Sequence, residues 1–137
     1  MTPEERETLV RYRLDKAAHT LRQAEALLAI DEWDGAVNRA YYAMFYAALA
    51  MLARHGVGGA RRHAGVLVQV DRELVGLGHL PREQATDLHE AFRMRQRADY
   101  AEVEAVDADR ARELVEAAGS FIDVVRDRLG ETGGAAT

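Results

Sequence analysis

Only two prolines, Pro3 and Pro81, occur in the 137 residues, and both lie where a helix can start. A proline inside a helix removes a hydrogen bond and collides with the preceding turn, so a chain nearly free of it can form long helices. Apolar residues recur at three- and four-residue spacing, and no segment alternates with the period of a strand. The expectation is an all-α domain: an up-and-down bundle of four to five helices over residues 1–130, with residues 131–137 as a disordered tail.

Local signals place the helices. Thr2-Pro3-Glu4-Glu5 offers an N-cap, a proline at the first helical position and a capping box, and Leu14, Ala17, Leu21, Ala24 and Leu28 follow as one stripe. The turn and capping residues Asp31 to Gly35 predict a second helix from about Ala36 to His55, ending at Gly56. Its apolar rows, Val37-Ala40-Tyr41-Met44-Ala48-Met51 and Phe45-Leu49-Leu52, cover so much of its girth that it should be central. A third helix runs through Val66, Val70 and Leu74 to a break at Gly76-Leu77-Gly78, and a fourth opens at Leu80-Pro81-Arg82-Glu83. Asp107 or Asp109 can cap a fifth, closed by Gly130.

The composition excludes several kinds of chemistry. There is no cysteine, hence no disulfide, thiolate zinc site or thiol nucleophile. The histidines lack metal-ligand spacing, and no cofactor or metal is expected. No apolar stretch approaches the ~20 residues needed to cross a bilayer and the N-terminus is acidic, so a cytoplasmic protein without a membrane role is expected. A net charge of -5 opposes broad affinity for nucleic acid, although a basic patch within a cleft is compatible with it.

Polar residues break the helical pattern in two places. In the fourth helix the row Leu88, Phe92, Arg95, Asp99 carries an arginine and a carboxylate towards the side that otherwise builds core. The two can be a simple i, i+4 pair, a charge screened where the seam opens, or a cleft in which Arg95 binds phosphate and Tyr100 supplies a hydroxyl. In the second helix Asn38 to Tyr46 packs three tyrosines and two polar groups, with Arg39, Tyr42 and Tyr46 on one face and Asn38, Tyr41 and Phe45 on the next. The rings can be core with hydroxyls at the rim, or the wall of a polar pocket. Of the histidines, His19, His55, His79 and His89 read as surface residues. His63 differs, since it follows Arg61-Arg62 at a helix start, where free backbone amides favour anions.

The segments Asn38-Arg39-Ala40-Tyr41-Tyr42-Ala43-Met44-Phe45, Arg62-His63-Ala64-Gly65, Leu80-Pro81 and Arg95-Gln96-Arg97-Ala98-Asp99-Tyr100, in that order, resemble the HEPN family. The likeness is to its prokaryotic branch with R-A-Y-Y-A-x-F and R-x-x-A-D-Y motifs, and it spans roughly Leu14 to Leu129. It implies a helical bundle that forms a homodimer around a polar cleft. It also implies a toxin–antitoxin-type pairing with a small nucleotidyltransferase, and a metal-independent ribonuclease activity.

On that resemblance Arg95, Asp99 and Tyr100 are the candidate catalytic residues, and Asn38, Arg39, Tyr42, Arg62 and His63 the candidate nucleotide- or RNA-binding ones. The family's catalytic signature is arginine, four to six residues, then histidine. Arg95 matches, but Tyr100 stands at the first place for the histidine and no histidine follows Arg95. The tyrosine that partners of this kind adenylylate corresponds to Glu102 here. Tyrosine, with a pKa of about 10, is a poor base near neutrality, so His63 is the candidate substitute for the titrating group if its loop folds over the cleft. The alternative to a ribonuclease is a non-catalytic nucleotide- or partner-binding dimer that docks a nucleotidyltransferase.

Overall fold

Helix α1, Pro3–Ala29, begins as its sequence dictates. The Thr2 side chain accepts from the Glu5 amide and Glu5 accepts from the Thr2 amide, so two otherwise orphaned donors are satisfied. It ends in a tight reversal. Asp31 takes a left-handed conformation (φ 62°), its N–H donates to Leu28 O and the Glu32 N–H reaches back to Leu27 O. That reversal uses only residues 30–32, so α2 starts at Trp33 and runs to Arg54. The second helix therefore begins three residues before the expected Ala36. Asp34 and Gly35 belong to its first turn, because the left-handed Asp31 has already turned the chain back.

The computed structural model describes residues 1–99 and 106–130. The expectations for Tyr100, Glu102 and the tail at 131–137 lie outside the described residues. Helix α3, His63–Gln69, continues into a π-helical turn, Val70–Val75, which the sequence did not announce. The Gly76 N–H closes that turn on Asp71 O, five residues back. A Cβ at Gly76 would lie 2.5 Å from Arg72 O, so this wide turn needs glycine at its end. Helices α4, Arg82–Asp99, and α5, Ala108–Arg128, complete the chain, and the Asp107 carboxylate caps α5 by accepting from the Arg110 amide.

Helix α2 is the hub. It packs against α1, α4, α5 and the π-helical turn, as its two apolar rows predicted. Ala36, Ala40, Ala43, Ala47 and Ala50 are all fully buried, and these small side chains let the neighbouring backbones come close. Arg13 donates to Leu49 O and Arg39 to Gln23 Oε1, an antiparallel register for α1 and α2. Arg54 donates to Leu129 O, which sets the end of α5 beside the end of α2. The result is a four-helix up-and-down bundle, with α3 and its π-helical turn laid between α2 and α4. Tyr41, Phe121, Met44, Met51, Leu88 and Ile122 form its centre.

Candidate functional site

The buried line of α4 is Ala85, Leu88, Ala91, Met94 and Ala98, with Gln84 at its start. This line drifts round the helix relative to the row 88, 92, 95, 99, because the true period of a helix is 3.6 residues. The outcome is graded along that row. Leu88 is fully buried, Phe92 half-buried, the Arg95 side chain 18% exposed and the Asp99 side chain 47% exposed. Asp99 is thus a rim residue rather than a core-facing one, and its carboxylate accepts from Arg95 Nη1 at 3.2 Å.

The Arg95 guanidinium lies over three aromatic rings, 5.2 Å from the centroid of Tyr41, 5.6 Å from Phe92 and 5.8 Å from Tyr42. Stacking of this kind suits arginine, whose planar and weakly hydrated cation tolerates partial burial. Its Nε is buried and finds no hydrogen-bond partner among the described residues.

His63, the first residue of α3, closes over the same rings. It stacks on Phe45 with centroids 4.2 Å apart and planes 12° from parallel, and meets Tyr42 edge-on at 5.5 Å. Its Nδ1 lies 2.7 Å from the Tyr41 hydroxyl. Tyr41 is fully buried, and its hydroxyl proton has no other acceptor among the described residues, so Tyr41 donates and Nδ1 accepts. The ring proton of neutral His63 then sits on Nε2. Burial, and secondarily the charge of Arg95, hold the His63 pKa below the usual imidazole value, while burial pushes the Tyr41 hydroxyl well above that of free tyrosine. At neutral pH the pair is an uncharged imidazole held by an un-ionised phenol, beside a fixed cation.

The remaining candidates divide. Arg39 lies over the other side of the group, 5.1 Å from the Tyr42 centroid, and donates through Nε and Nη2 to Asn38 Oδ1. Asn38, Arg39, Tyr42, His63 and Arg95 therefore form one continuous patch. Arg62 is exposed at the N-cap of α3, next to His63 in the chain but outside the ring cluster. Tyr41, Phe45 and Phe92 complete the ring cluster but are absent from the candidate site residues singled out in the sequence. For Tyr41 the signal was present, since a tyrosine on the most buried row of a central helix needs a hydroxyl partner.

The sequence model of the HEPN domain matches residues 10–128. The chain belongs to the HEPN family. A relative in Thermotoga maritima named a UPF0332 protein is 31% identical over 121 residues, covering 88% of this chain and 91% of its own. A UPF0332 protein of Gloeobacter violaceus is 34% identical over 100 residues, covering 73% and 75%. A protein of Methanocaldococcus jannaschii that bears the name "putative toxin" is 29% identical over 116 residues, covering 85% and 78%. The HEPN match includes every element that builds the patch around Tyr41. Among the described residues of this HEPN chain, no helix is long and apolar enough to cross a membrane.

Proposed function

We propose that this HEPN protein is a toxin-type ribonuclease in which His63 replaces the family's missing histidine. The observation that carries the reading is the convergence of His63 and Arg95 on one tyrosine, Tyr41, from helices whose sequence positions are 32 apart. RNA cleavage by attack of a 2′-hydroxyl needs a proton acceptor at that oxygen, charge stabilisation at phosphorus and a donor to the leaving oxygen. Arg95 faces the phosphate. His63 serves as base at Nε2 once its ring proton has passed from Nε2 to Nδ1 through solvent and the Tyr41 hydroxyl has turned to accept from Nδ1–H.

The 2′-oxygen–phosphorus bond forms as the 5′-oxygen–phosphorus bond breaks, giving a cyclic phosphate and a 5′-hydroxyl. Tyr100 is assigned as the donor to the leaving oxygen, with the proton held by His63 returned to it through solvent. Asp99 orients Arg95, while Asn38, Arg39, Tyr42 and Arg62 bind the strand. The active form is read as a homodimer whose two clefts face each other. It is paired with a small nucleotidyltransferase antitoxin that covers the surface from Arg95 to Tyr100. The name borne by the Methanocaldococcus jannaschii relative supports the toxin part of this reading.

One observation favours a second reading. Arg95 already has Asp99 and three ring faces around it, an arrangement that a non-catalytic nucleotide- or partner-binding dimer would also use. Growth after induction of the protein alone, together with cleavage of RNA by the purified chain, separates the two. Toxicity and cleavage that both vanish in Arg95→Ala and in His63→Ala support the nuclease. Cleavage unchanged in His63→Ala rules out the role of His63, and neither toxicity nor cleavage from the wild type leaves the binding module.

A further inference from the structure

The contacts around Tyr42 do not stop at the patch. Along the seam between α1 and α2, Tyr42 meets Tyr46 with ring centroids 5.9 Å apart, and Lys16 Nζ lies 4.7 Å above the Tyr46 ring. The same ammonium reaches Tyr12, 5.9 Å from its centroid. Tyr12 is 60% exposed, so its ring is not core, and a large aromatic on a helix surface beside a cation is available to a ligand. Lys16 is the single lysine of the chain. Among the described residues neither Lys16 nor Arg39 has a carboxylate within ion-pairing distance, so no neighbouring carboxylate neutralises either charge. Tyr12 also lines a depression on α1 that holds Glu4, Glu7 and Asp15 with Arg11, so the carboxylates sit at the outer end of the seam. The seam thus sets two cations among one exposed and two half-buried tyrosine rings.

We infer that this seam is a binding track for single-stranded RNA, leading away from His63 through Tyr42 and Tyr46 to Lys16 and Tyr12. The chemistry is that of sequence-tolerant strand binding. Rings offer faces on which bases stack, and cations between them meet the phosphates. From Gln23, which holds Arg39, to Tyr12 the seam runs ~16 Å along α1, enough for several nucleotides. Duplex RNA cannot use it, because its bases are already stacked on each other. The inference rests on the RNA reading above for the identity of the ligand, and adds Tyr12, Lys16 and Tyr46 as strand contacts remote from the reacting phosphate.

The test uses the full chain, a fluorescein-labelled oligouridylate read by anisotropy, and the variants Tyr12→Ala and Lys16→Gln, whose exposed side chains leave the core untouched. The expected result is binding by the wild type, about tenfold weaker in Tyr12→Ala. In Lys16→Gln the slope of log affinity against log salt should be shallower by about 0.7. Duplex RNA should compete poorly. With a cleavable strand, KM should rise in both variants while kcat stays the same. Wild-type affinity in both variants overturns the track, and so does unchanged KM in a protein that cleaves, an outcome that leaves the nuclease reading standing. A variant that changes sedimentation but not RNA affinity also overturns it, because the face then belongs to a protein contact. RNA binding that depends on Tyr12 and Lys16 without any cleavage supports the track and removes the nuclease reading instead.

Discussion

The Tyr41 hydroxyl and His63 Nδ1 sit 2.7 Å apart, tying the middle of α2 to the first residue of α3. This bond decides where the imidazole points and which of its nitrogens carries the proton. Tyr41→Phe keeps the ring and its packing but removes the donor. We expect a loss of about 1 kcal/mol in stability, read by urea denaturation. Nitrogen-15 spectra of His63 should change from one tautomer to a mixture, and RNA cleavage should fall by roughly tenfold. A His63 tautomer that does not respond would show that Tyr41 does not hold it.

Arg95 acts on its neighbour, and on the proposed reading it also meets the phosphate. Its positive charge contributes to keeping the His63 pKa low, so Arg95→Ala should raise that pKa, measured by NMR titration. Cleavage should drop by at least about a hundredfold, the usual scale for losing a group that stabilises charge in the transition state. Arg95→Lys should restore little, because an ammonium lacks the flat face that three rings accept here.

The rings of His55 and His79 stack with centroids 3.8 Å apart at the end of α2. Burial, then the charges of His79 and Arg54, lower the His55 pKa, and His63 is lowered as well. As pH falls, the unfolded chain takes up protons at these imidazoles before the folded chain does. Their contribution is therefore neutral above the ordinary value of 6.5, and stability declines as pH drops below it. The melting temperature should fall between about pH 7 and pH 5. His79→Gln should flatten that decline by removing one of the two charges set against His55. An equally steep decline in His79→Gln would sink the assignment.

Gly76 ends the π-helical turn where a Cβ would meet Arg72 O at 2.5 Å. Gly76→Ala should cost about 1–3 kcal/mol in denaturant unfolding, the range for forced overpacking. Gly78, at φ +79° with open space around it, should cost less when changed to alanine, about 1 kcal/mol from the left-handed backbone alone. If the two variants are equally stable, the close approach at Gly76 is not what fixes the turn.

Capping residues and helical period were enough to place α1, the centrality of α2 and the ends at Gly56 and Gly130, because those signals act within a few residues. The start of α2 was misplaced because a left-handed Asp31 makes the reversal that the turn-rich stretch to Gly35 suggested would be longer. The π-helical turn has no local signature beyond Gly76, and the need for glycine there shows only once Arg72 O, four residues back, is seen beside its Cα.

The amino-acid sequence by itself determined the all-helical class and the order of the helices, and it marked Arg95 as the leading candidate of the site. The run from Arg95 to Tyr100 marked where polar residues interrupt a core helix. What only the tertiary structure decided is the company Arg95 keeps. His63 reaches Tyr41 across the loop after α2, and Lys16 reaches Tyr46 across a helix seam. Helical periodicity reports which face of one element is buried. It carries no information on which faces of different elements meet, since that follows from how α2 packs between its neighbours.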